Sequence, residues 1–531
     1  MERAARIPFE SIARDDEPSL RGYGVYTQRP AADGFFMVRL RIPGGDLTPE
    51  QLRAVADLAN VHGRGLADIT VRQNIQLHWV RFESLPEIMT TLEACGLSTI
   101  ESSGAPVRNL LNCPVSGVDE AELYDTSLLI RKLNDYFAAG TNLDGMPRKL
   151  KISITGCALR CTYPEVNDIG IFAVRDLEDG GVSFRARVGG GLSTAPRFSR
   201  DLGILARPGD VVELCGAIAA VFRDRAMSEN GDRTRVHFRV GEDEIPRFRK
   251  LVEARLGRKL RRVSEPDAPA VTERDRSHLG INPQRQKGLH YIGIALVGGR
   301  TSGDELNLLA SIAQEYRGIR VRSTNTQNIM LLNVPEAKLA AVTSELEQAG
   351  FDYRPGWARK GIIACTGIQF CKLAVAETKN RAVELTDYLA KEVKLEEPIR
   401  ISVTGCPNAC GQHHICDIGL EGSVTSTDGI KRESFQVFLG GGVGSREAFG
   451  RRIGVRIPAD ELSESLTRLL TWYKQGRKAG ESFQQFCLRH SDASLTQYLA
   501  VPHPTDRFFR SSAELTELQP SALTNPGYRH S

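Results

Sequence analysis

The sequence predicts an α+β protein with an internally duplicated, pseudo-two-fold plan, and three observations carry that reading. First, the chain repeats itself: Ile152-Ser153-Ile154-Thr155-Gly156-Cys157 returns as Ile401-Ser402-Val403-Thr404-Gly405-Cys406, an offset of 249 that also carries Cys161 onto Cys410 and Asp168-Ile169-Gly170 onto Asp417-Ile418-Gly419. A triple glycine follows each copy, at Gly189 to Gly191 and Gly440 to Gly442, and Gln73-Asn74-Ile75 returns as Gln327-Asn328-Ile329. Ordered matches at nearly constant offset indicate a duplicated unit of roughly 250 residues. Second, helical and strand periodicities alternate in both halves. Third, 41% hydrophobic and 25% charged residues are ordinary for a globular chain and exclude a disordered, collagen-like or rod-like one.

The elements follow in order. Phe35 to Arg41 and Ile69 to Val80 read as strands around a helix over Pro49 to Val61, whose Leu52, Val55, Ala56 and Leu58 form an apolar face. Pro86 to Ala94 reads as a second helix. In the second half Tyr291 to Val297, Asp304 to Tyr316, Ile329 to Val334 and Glu336 to Ala349 repeat this β-α-β-α order. The join falls in a linker over 263–287, where Pro266, Pro269 and the charged run Glu273-Arg274-Asp275-Arg276 suit exposed chain. The tail over 501–531 is polar and is expected to be irregular.

Net charge is only +4, from 69 Lys plus Arg against 65 Asp plus Glu. That is too little for a dedicated nucleic-acid binder, though a local basic face can dock an acidic partner. No stretch approaches the ~18 apolar residues of a spanning helix, and the first residues lack the apolar core of a signal peptide. A cytoplasmic protein is expected, with no nucleic-acid or membrane partner. Eleven cysteines in such a protein are then expected as free thiols or metal ligands rather than disulfides, because the compartment keeps thiols reduced.

Four of those cysteines form a pattern. Cys365 and Cys371 make C-x5-C, and Cys406 and Cys410 make C-x3-C further along. Four thiolates from two loops can close a tetrahedral metal site or an iron–sulfur cluster. Structural zinc favours C-x2-C knuckles, so the spacing favours the cluster; Gly405, Pro407 and Gly411 shape tight backbone whose N–H groups can donate to sulfur. The first half keeps Cys113, Cys157 and Cys161 at matching positions, but Asp119 stands opposite Cys371. Three thiols and a carboxylate can hold a second cluster; a decayed copy forming one wall of the site is the preferred reading.

C-x5-C followed by Gly405-Cys406-Pro407-Asn408-Ala409-Cys410 resembles the signature of the sirohaem- and [4Fe–4S]-containing sulfite and nitrite reductases, over roughly residues 22 to 498. The resemblance implies Cys365, Cys371, Cys406 and Cys410 as cluster ligands, with Cys410 also bridging to the sirohaem iron and Asn408 beside it. Thr70-Val71-Arg72-Gln73, Arg108-Asn109 and Pro147-Arg148-Lys149-Leu150-Lys151 are similar to the family's T-x-R-Q, R-N and P-R-K-x-K segments. By resemblance Arg72, Arg108, Lys149 and Lys151 surround the substrate, and Gln73 and Asn109 contact the cofactor. The implied organisation is a ferredoxin-like half-domain over 20–100, a sirohaem-binding domain with a degenerate cluster site over 104–262, a second half-domain over 288–354 and the [4Fe–4S]/sirohaem domain over 355–500.

The chemistry suits those residues. Sulfite, nitrite and the sirohaem carboxylates are anions and need fixed cations; Arg offers a rigid fork, Lys a compact charge that can pass a proton. The resemblance points to six-electron reduction of sulfite to sulfide, with reduction of nitrite to ammonia as the near alternative. Nitrite reductases of plant and cyanobacterial type carry Asn at the second basic position of P-R-K-x-K, where this chain has Lys151. A cobalamin-pathway oxygenase and a non-catalytic iron–sulfur or zinc scaffold are the alternatives of other classes. The chain shows no dinucleotide fingerprint, since the triple glycines lack a P-loop lysine or G-x-G-x-x-G. Electrons are therefore expected from a small acidic carrier such as ferredoxin, with the basic stretch Arg247-Phe248-Arg249-Lys250 to Arg261-Arg262 as a candidate docking face on a monomer. His413 and His414 are expected outside the ligand set, because four cysteines already fill it.

Overall fold

The computed structural model describes residues 17–30, 34–100, 107–139, 146, 149–176, 178, 180–228, 240–263, 277–427 and 429–500. Most of the expected linker, the tail over 501–531, and Pro147 and Arg148 lie outside the described residues.

Two sheets of five strands form the centre. In spatial order the first has Val25–Thr27, Phe35–Arg39, Ile75–Arg81, Leu66–Ile69 and Arg300–Ser302; the second has Gly280–Pro283, Leu289–Ile294, Ile329–Pro335, Arg320–Ser323 and Asp46–Leu47. The last strand of each comes from the other half of the chain, pairing antiparallel as Thr301 with Ala67 and Val321 with Leu47. Each exchanged strand runs directly into a helix, Pro49–His62 or Gly303–Glu315. Both helices start with a capping box, Thr48 with Gln51 and Ser302 with Glu305, which satisfies the N-terminal amides reciprocally. The two helices pack together, and Arg53 Nη2 donates to Ser311 Oγ (2.9 Å) and Gln314 Oε1 (2.8 Å) across the seam. Leu52, Val55, Ala56 and Leu58 are buried as expected, in one core shared with Leu306, Leu309 and Ile312 of the other half.

The exchange needs glycine at two equivalent points. A Cβ on Gly45 (φ +75°) would lie 2.2 Å from Ser323 O, and one on Gly299 (φ +75°) 2.3 Å from Ile69 O. No side chain fits there.

Two outer α/β units flank this centre. One sheet runs Ile152–Thr155, Ile169–Arg175, Val182–Val188, Arg200–Asp201; the other runs Ile362–Ala364, Ile401–Thr404, Ile418–Thr427, Ile430–Leu439, Arg451–Pro458. Ile152–Thr155 is parallel to Ile169–Arg175, and Ile362–Ala364, Ile401–Thr404 and Ile418–Thr427 are mutually parallel. Helices Ser127–Ala138, Val211–Ser228 and Ile245–Leu256 cover the first, and Lys379–Glu392 and Leu462–Gly476 the second, each with its own apolar core.

Two expectations change. The single strand expected over Ile69 to Val80 is two strands, broken at Thr70–Asn74, because Thr70 Oγ1 accepts from the amides of Arg72 and Asn74 (both 3.2 Å) and closes a turn there. The expected linker ends early: Gly280–Pro283 is an edge strand paired with Leu289–Ile294. Among the described residues no helix is long and apolar enough to cross a membrane.

Candidate active site

The turn Thr70–Asn74 sets Arg72. Thr70 N donates to Asn74 O (2.9 Å) and Gln73 N to Thr70 O (3.0 Å), with Gln73 at φ +59°. The second half builds the same turn over Thr324–Asn328, with Gln327 at φ +64°, but Thr326 stands where Arg72 does. One copy therefore carries the cation and the other does not. Arg72 Nη1 donates to Asn167 Oδ1 (3.1 Å), and Nη2 to Asn109 O (2.6 Å) and Ile152 O (3.3 Å), while its Nε is buried without a partner.

The amides expected at the cofactor have other work. Gln73 is fully buried; its Nε2 donates to Gly44 O (3.1 Å) and Ser323 O (3.0 Å), and its Oε1 accepts from Asn112 N (2.9 Å). Gln327 does the same in the other half, donating to Ile69 O (3.0 Å) and Ala364 O (2.9 Å) and accepting from Ala364 N (2.8 Å). With these donors and this acceptor spent on backbone, Gln73 staples the exchanged halves. Asn109 is likewise buried, and its Nδ2 donates to Ile42 O (2.7 Å) and Arg72 O (2.9 Å), so it holds the Arg72 turn in place.

Arg108 and Lys151 face the same region from neighbouring chain. Arg108 N donates to Leu150 O (2.8 Å), and Lys151 N donates to Asp168 Oδ2 (2.7 Å). Burial, then repulsion from Lys149 and Arg72, pushes the Lys151 ammonium down to about 8, against the pull of Asp168 and Cys410. Burial and Arg108 push Arg72 down to about 9, against Asp168. Burial also lowers Arg108, with Tyr26 and Cys410 opposing and Arg39 adding repulsion. A guanidinium stays protonated at neutral pH in any case; burial is the first cause of all three depressions, with repulsion among the cations adding to it. Lys149 is exposed at the rim. The sequence reading missed Arg39 and Arg41, although Arg39-Leu40-Arg41 alternates as a strand that points two cations one way. It also missed Tyr26, which no motif announces, and the orienting role of Asp168, which the repeated Asp168-Ile169-Gly170 could have signalled, since Asp417 Oδ2 accepts from Arg400 N (2.9 Å) in the same way.

Cys365 and Cys406 follow the ends of adjacent parallel strands, Ile362–Ala364 and Ile401–Thr404, and Cys371 and Cys410 lie further along the same two loops. Ala364 is in register with Val403, so Cys365 and Cys406 emerge side by side. Gly405 N donates to Cys365 Sγ (3.2 Å), an amide–sulfur bond that suits a metal-bound thiolate. Burial and the nearby Cys410 push Cys365 up to about 12. Cys406 is raised by burial, opposed by hydrogen bonds from the backbone and side chain of Asn408, with Cys410 and Cys371 close enough to add repulsion. Thiols held near one another, beside a group of buried cations, suit metal-bound thiolates and an anionic macrocycle. The donor set thus fits a cluster and a carboxylate-rich cofactor. Cys410 is exposed and lies close enough to Arg108, Lys151, Cys365 and Cys406 to act on each electrostatically. Among the described residues the sulfurs that crowd within 4.8 Å are different ones, Cys113, Cys157 and Cys161.

His413 is buried with Nε2 3.2 Å from Glu421 Oε2, and His414 Nε2 lies 2.9 Å from Ser193 O, so neither is a surface residue. The triple glycines return to the repeated Asp segments: Gly189 N donates to Asp168 O (3.0 Å) and Gly440 N to Asp417 O (2.8 Å). They are structural turns.

A duplicated α+β scaffold that carries a cluster-type cysteine set and a group of buried cations fits an oxidoreductase acting on an anion. The family described as the nitrite and sulphite reductase 4Fe-4S domain matches residues 103–260 and 358–486, and the nitrite/sulfite reductase ferredoxin-like half domain matches 28–95 and 282–349. The chain belongs to this nitrite and sulfite reductase family, whose cofactors are sirohaem and a [4Fe–4S] cluster. It is 36% identical over 478 residues to a ferredoxin–nitrite reductase of Leptolyngbya laminosa, covering 88% of this chain and 92% of that one. It is 34% identical over 515 residues to sulfite reductase [ferredoxin] 2 of Mycolicibacterium paratuberculosis, covering 92% of each. The structure of the Mycobacterium tuberculosis NirA protein superposes with TM-score 0.85 at 32% identity over 93% of each chain.

Proposed function

We propose that this chain reduces sulfite to sulfide; Cys365, Cys371, Cys406 and Cys410 would hold the [4Fe–4S] cluster, and Cys410 would also link it to sirohaem. The observation that carries the substrate choice is Lys151. It adds a cation to Arg72 and Arg108 where nitrite reductases of plant and cyanobacterial type carry Asn, and sulfite can bear one more negative charge than nitrite. When bound, sirohaem and the cluster supply the six electrons singly.

The side chains do the rest. Arg72, held by Asn167 and the Asn109 carbonyl, and Arg108 fix the oxyanion by charge-assisted hydrogen bonds. Lys151, depressed to about 8, is an ammonium near neutrality yet acidic enough to pass its proton to a departing substrate oxygen. Lys149, exposed at the rim, can return protons from water. Asp168 holds the Lys151 backbone.

Ferredoxin is the proposed donor, as in the names of both relatives. The basic stretch is more neutral than its sequence implies: Arg255 pairs with Asp224, Arg258 with Asp210 and Glu213, and Lys259 and Arg262 with Glu253. Reduction of nitrite is the second reading, supported by the 36% identity to a ferredoxin–nitrite reductase. Steady-state reduction of sulfite and nitrite side by side, with reduced viologen as donor, tests the choice. A higher kcat/KM for sulfite is expected; turnover of nitrite alone would replace the sulfite reading.

A further inference from the structure

The first half keeps three cysteines that the active site does not use. Cys113, Cys157 and Cys161 are all buried, at 0%, 1% and 1% exposure. Cys113 Sγ lies 3.7 Å from Cys157 Sγ, and Cys157 Sγ lies 3.8 Å from Cys161 Sγ. A fourth donor arrives from a distant segment: His278 Nε2 is 3.2 Å from Cys161 Sγ. We propose that Cys113, Cys157 and Cys161, with His278 as fourth ligand, bind one zinc ion.

The distances carry this. A tetrahedron with Zn–S of about 2.3 Å has sulfur–sulfur edges of about 3.8 Å, which two of the three sulfur pairs already show, the third lying within 4.8 Å. A cubane cluster instead holds thiolates on the outside of an eight-atom box, spaced far wider than one ion requires. The triad is therefore sized for a single ion. The carboxylate that the repeat sets opposite Cys371 is not the fourth ligand, since Asp119 is turned to Ala121 N (2.9 Å); both it and His278 lie outside the compact three-sulfur group, and His278 is the one that touches it, through Cys161, so its ring must swing inward on binding. His278 sits at φ +54°, an uncommon backbone region for a residue other than glycine, and is itself buried.

The surroundings agree. Val115, Val118, Leu159, Tyr291, Met330 and Leu332 wall the thiols in, leaving structural rather than catalytic access. Asn325 Nδ2 donates to Cys161 O (2.7 Å), and Asn325 belongs to the turn Thr324–Asn328 that mirrors the Arg72 turn. This is the pseudo-two-fold counterpart of the active site, contracted from cluster size to ion size. Binding would release one proton from each thiol and leave one net negative charge. The buried Arg322, on the strand Arg320–Ser323, donates to Pro114 O and Ser116 O (both 2.9 Å) of the segment that follows Cys113.

The test is metal analysis of the purified holoenzyme. About one zinc per chain is expected beside the iron, and zinc-edge X-ray absorption should show three sulfurs at about 2.3 Å and one nitrogen at about 2.0 Å. Cys157→Ser should lose most of the zinc while iron content and the sirohaem spectrum stay at wild-type level. If that variant does not accumulate, absorption spectroscopy of the wild type still decides. His278→Ala should release zinc to a chelator at least about tenfold faster. Zinc below about a tenth per chain, an oxygen-rich shell, a disulfide between two of these cysteines, or joint loss of iron and zinc in Cys157→Ser would overturn the proposal. Unchanged chelator release from His278→Ala would overturn the fourth ligand. Sulfite turnover is read separately, so failure of the substrate assignment leaves this result standing.

Discussion

Replacing Lys151 with Asn removes one positive charge from a site whose cations already repel one another, and its effect should depend on substrate charge. Two unit charges at ~4 Å interact by about 4 kcal/mol at an effective dielectric of 20. Side-chain reorientation and residual water reduce this to about 1.5–3 kcal/mol. A substrate with one more charge should lose about that much more binding, a ten- to hundredfold difference. The assay is kcat/KM for sulfite and nitrite with reduced viologen, wild type beside Lys151→Asn. Sulfite kcat/KM should fall at least about tenfold more than nitrite kcat/KM. The pH profile adds a check with a definite sign. A lysine depressed to about 8 is charged below that pH and neutral above it, so its help to anion binding is present at low pH and lost as pH rises. Bound cofactor carboxylates favour the ammonium, so the loss in holoenzyme should fall at or above about pH 8 and be absent in Lys151→Asn. Equal losses for both substrates, or a wild type indifferent to sulfite, would refute the role given to Lys151.

Three other outcomes are expected. Cys410→Ser should uncouple cluster and haem, visible as an altered spectrum and lost turnover even where iron is retained, whereas Cys365→Ser, Cys371→Ser and Cys406→Ser should lose the cluster and lower Tm; a wild-type spectrum in Cys410→Ser would remove the bridge. Ferredoxin-supported turnover should weaken as salt screens docking over a Debye length of roughly 10 Å at 0.1 M, while viologen-supported turnover should not. Since the ion pairs neutralise much of the stretch up to Arg262, Arg247→Glu with Lys250→Glu should raise the KM for ferredoxin; an unchanged KM would move docking elsewhere. Gln327→Ala strands Ile69 O, Ala364 O and Ala364 N, each costing about 1–3 kcal/mol if left unpaired, so calorimetry should show a clearly lower Tm; an unchanged Tm would remove the staple.

The duplication, the α+β class and the cluster-type cysteine spacing were legible because they are local or repetitive. Gly405 and Cys406 sit next to each other in sequence, and the strand Ile401–Thr404 that presents them repeats Ile152–Thr155. Gln73 illustrates the opposite case. Its T-x-R-Q context suggests a ligand contact, yet its hydrogen bonds to Ser323 and Asn112 depend on residues far away in the chain. The same holds for His278, unremarkable in sequence and beside Cys161 in space, and for the salt bridges that neutralise a stretch the sequence counts as basic. Motif and period therefore determine which side chains are available and which local element carries them. The exchange of edge strands at Gly45 and Gly299, the convergence of Arg72, Arg108, Lys151 and Cys410, and the contraction of the second cysteine site are decided by tertiary packing. Those contacts join residues up to hundreds of positions apart, and burial and mutual repulsion, which set their charge states, exist only once the chain has folded.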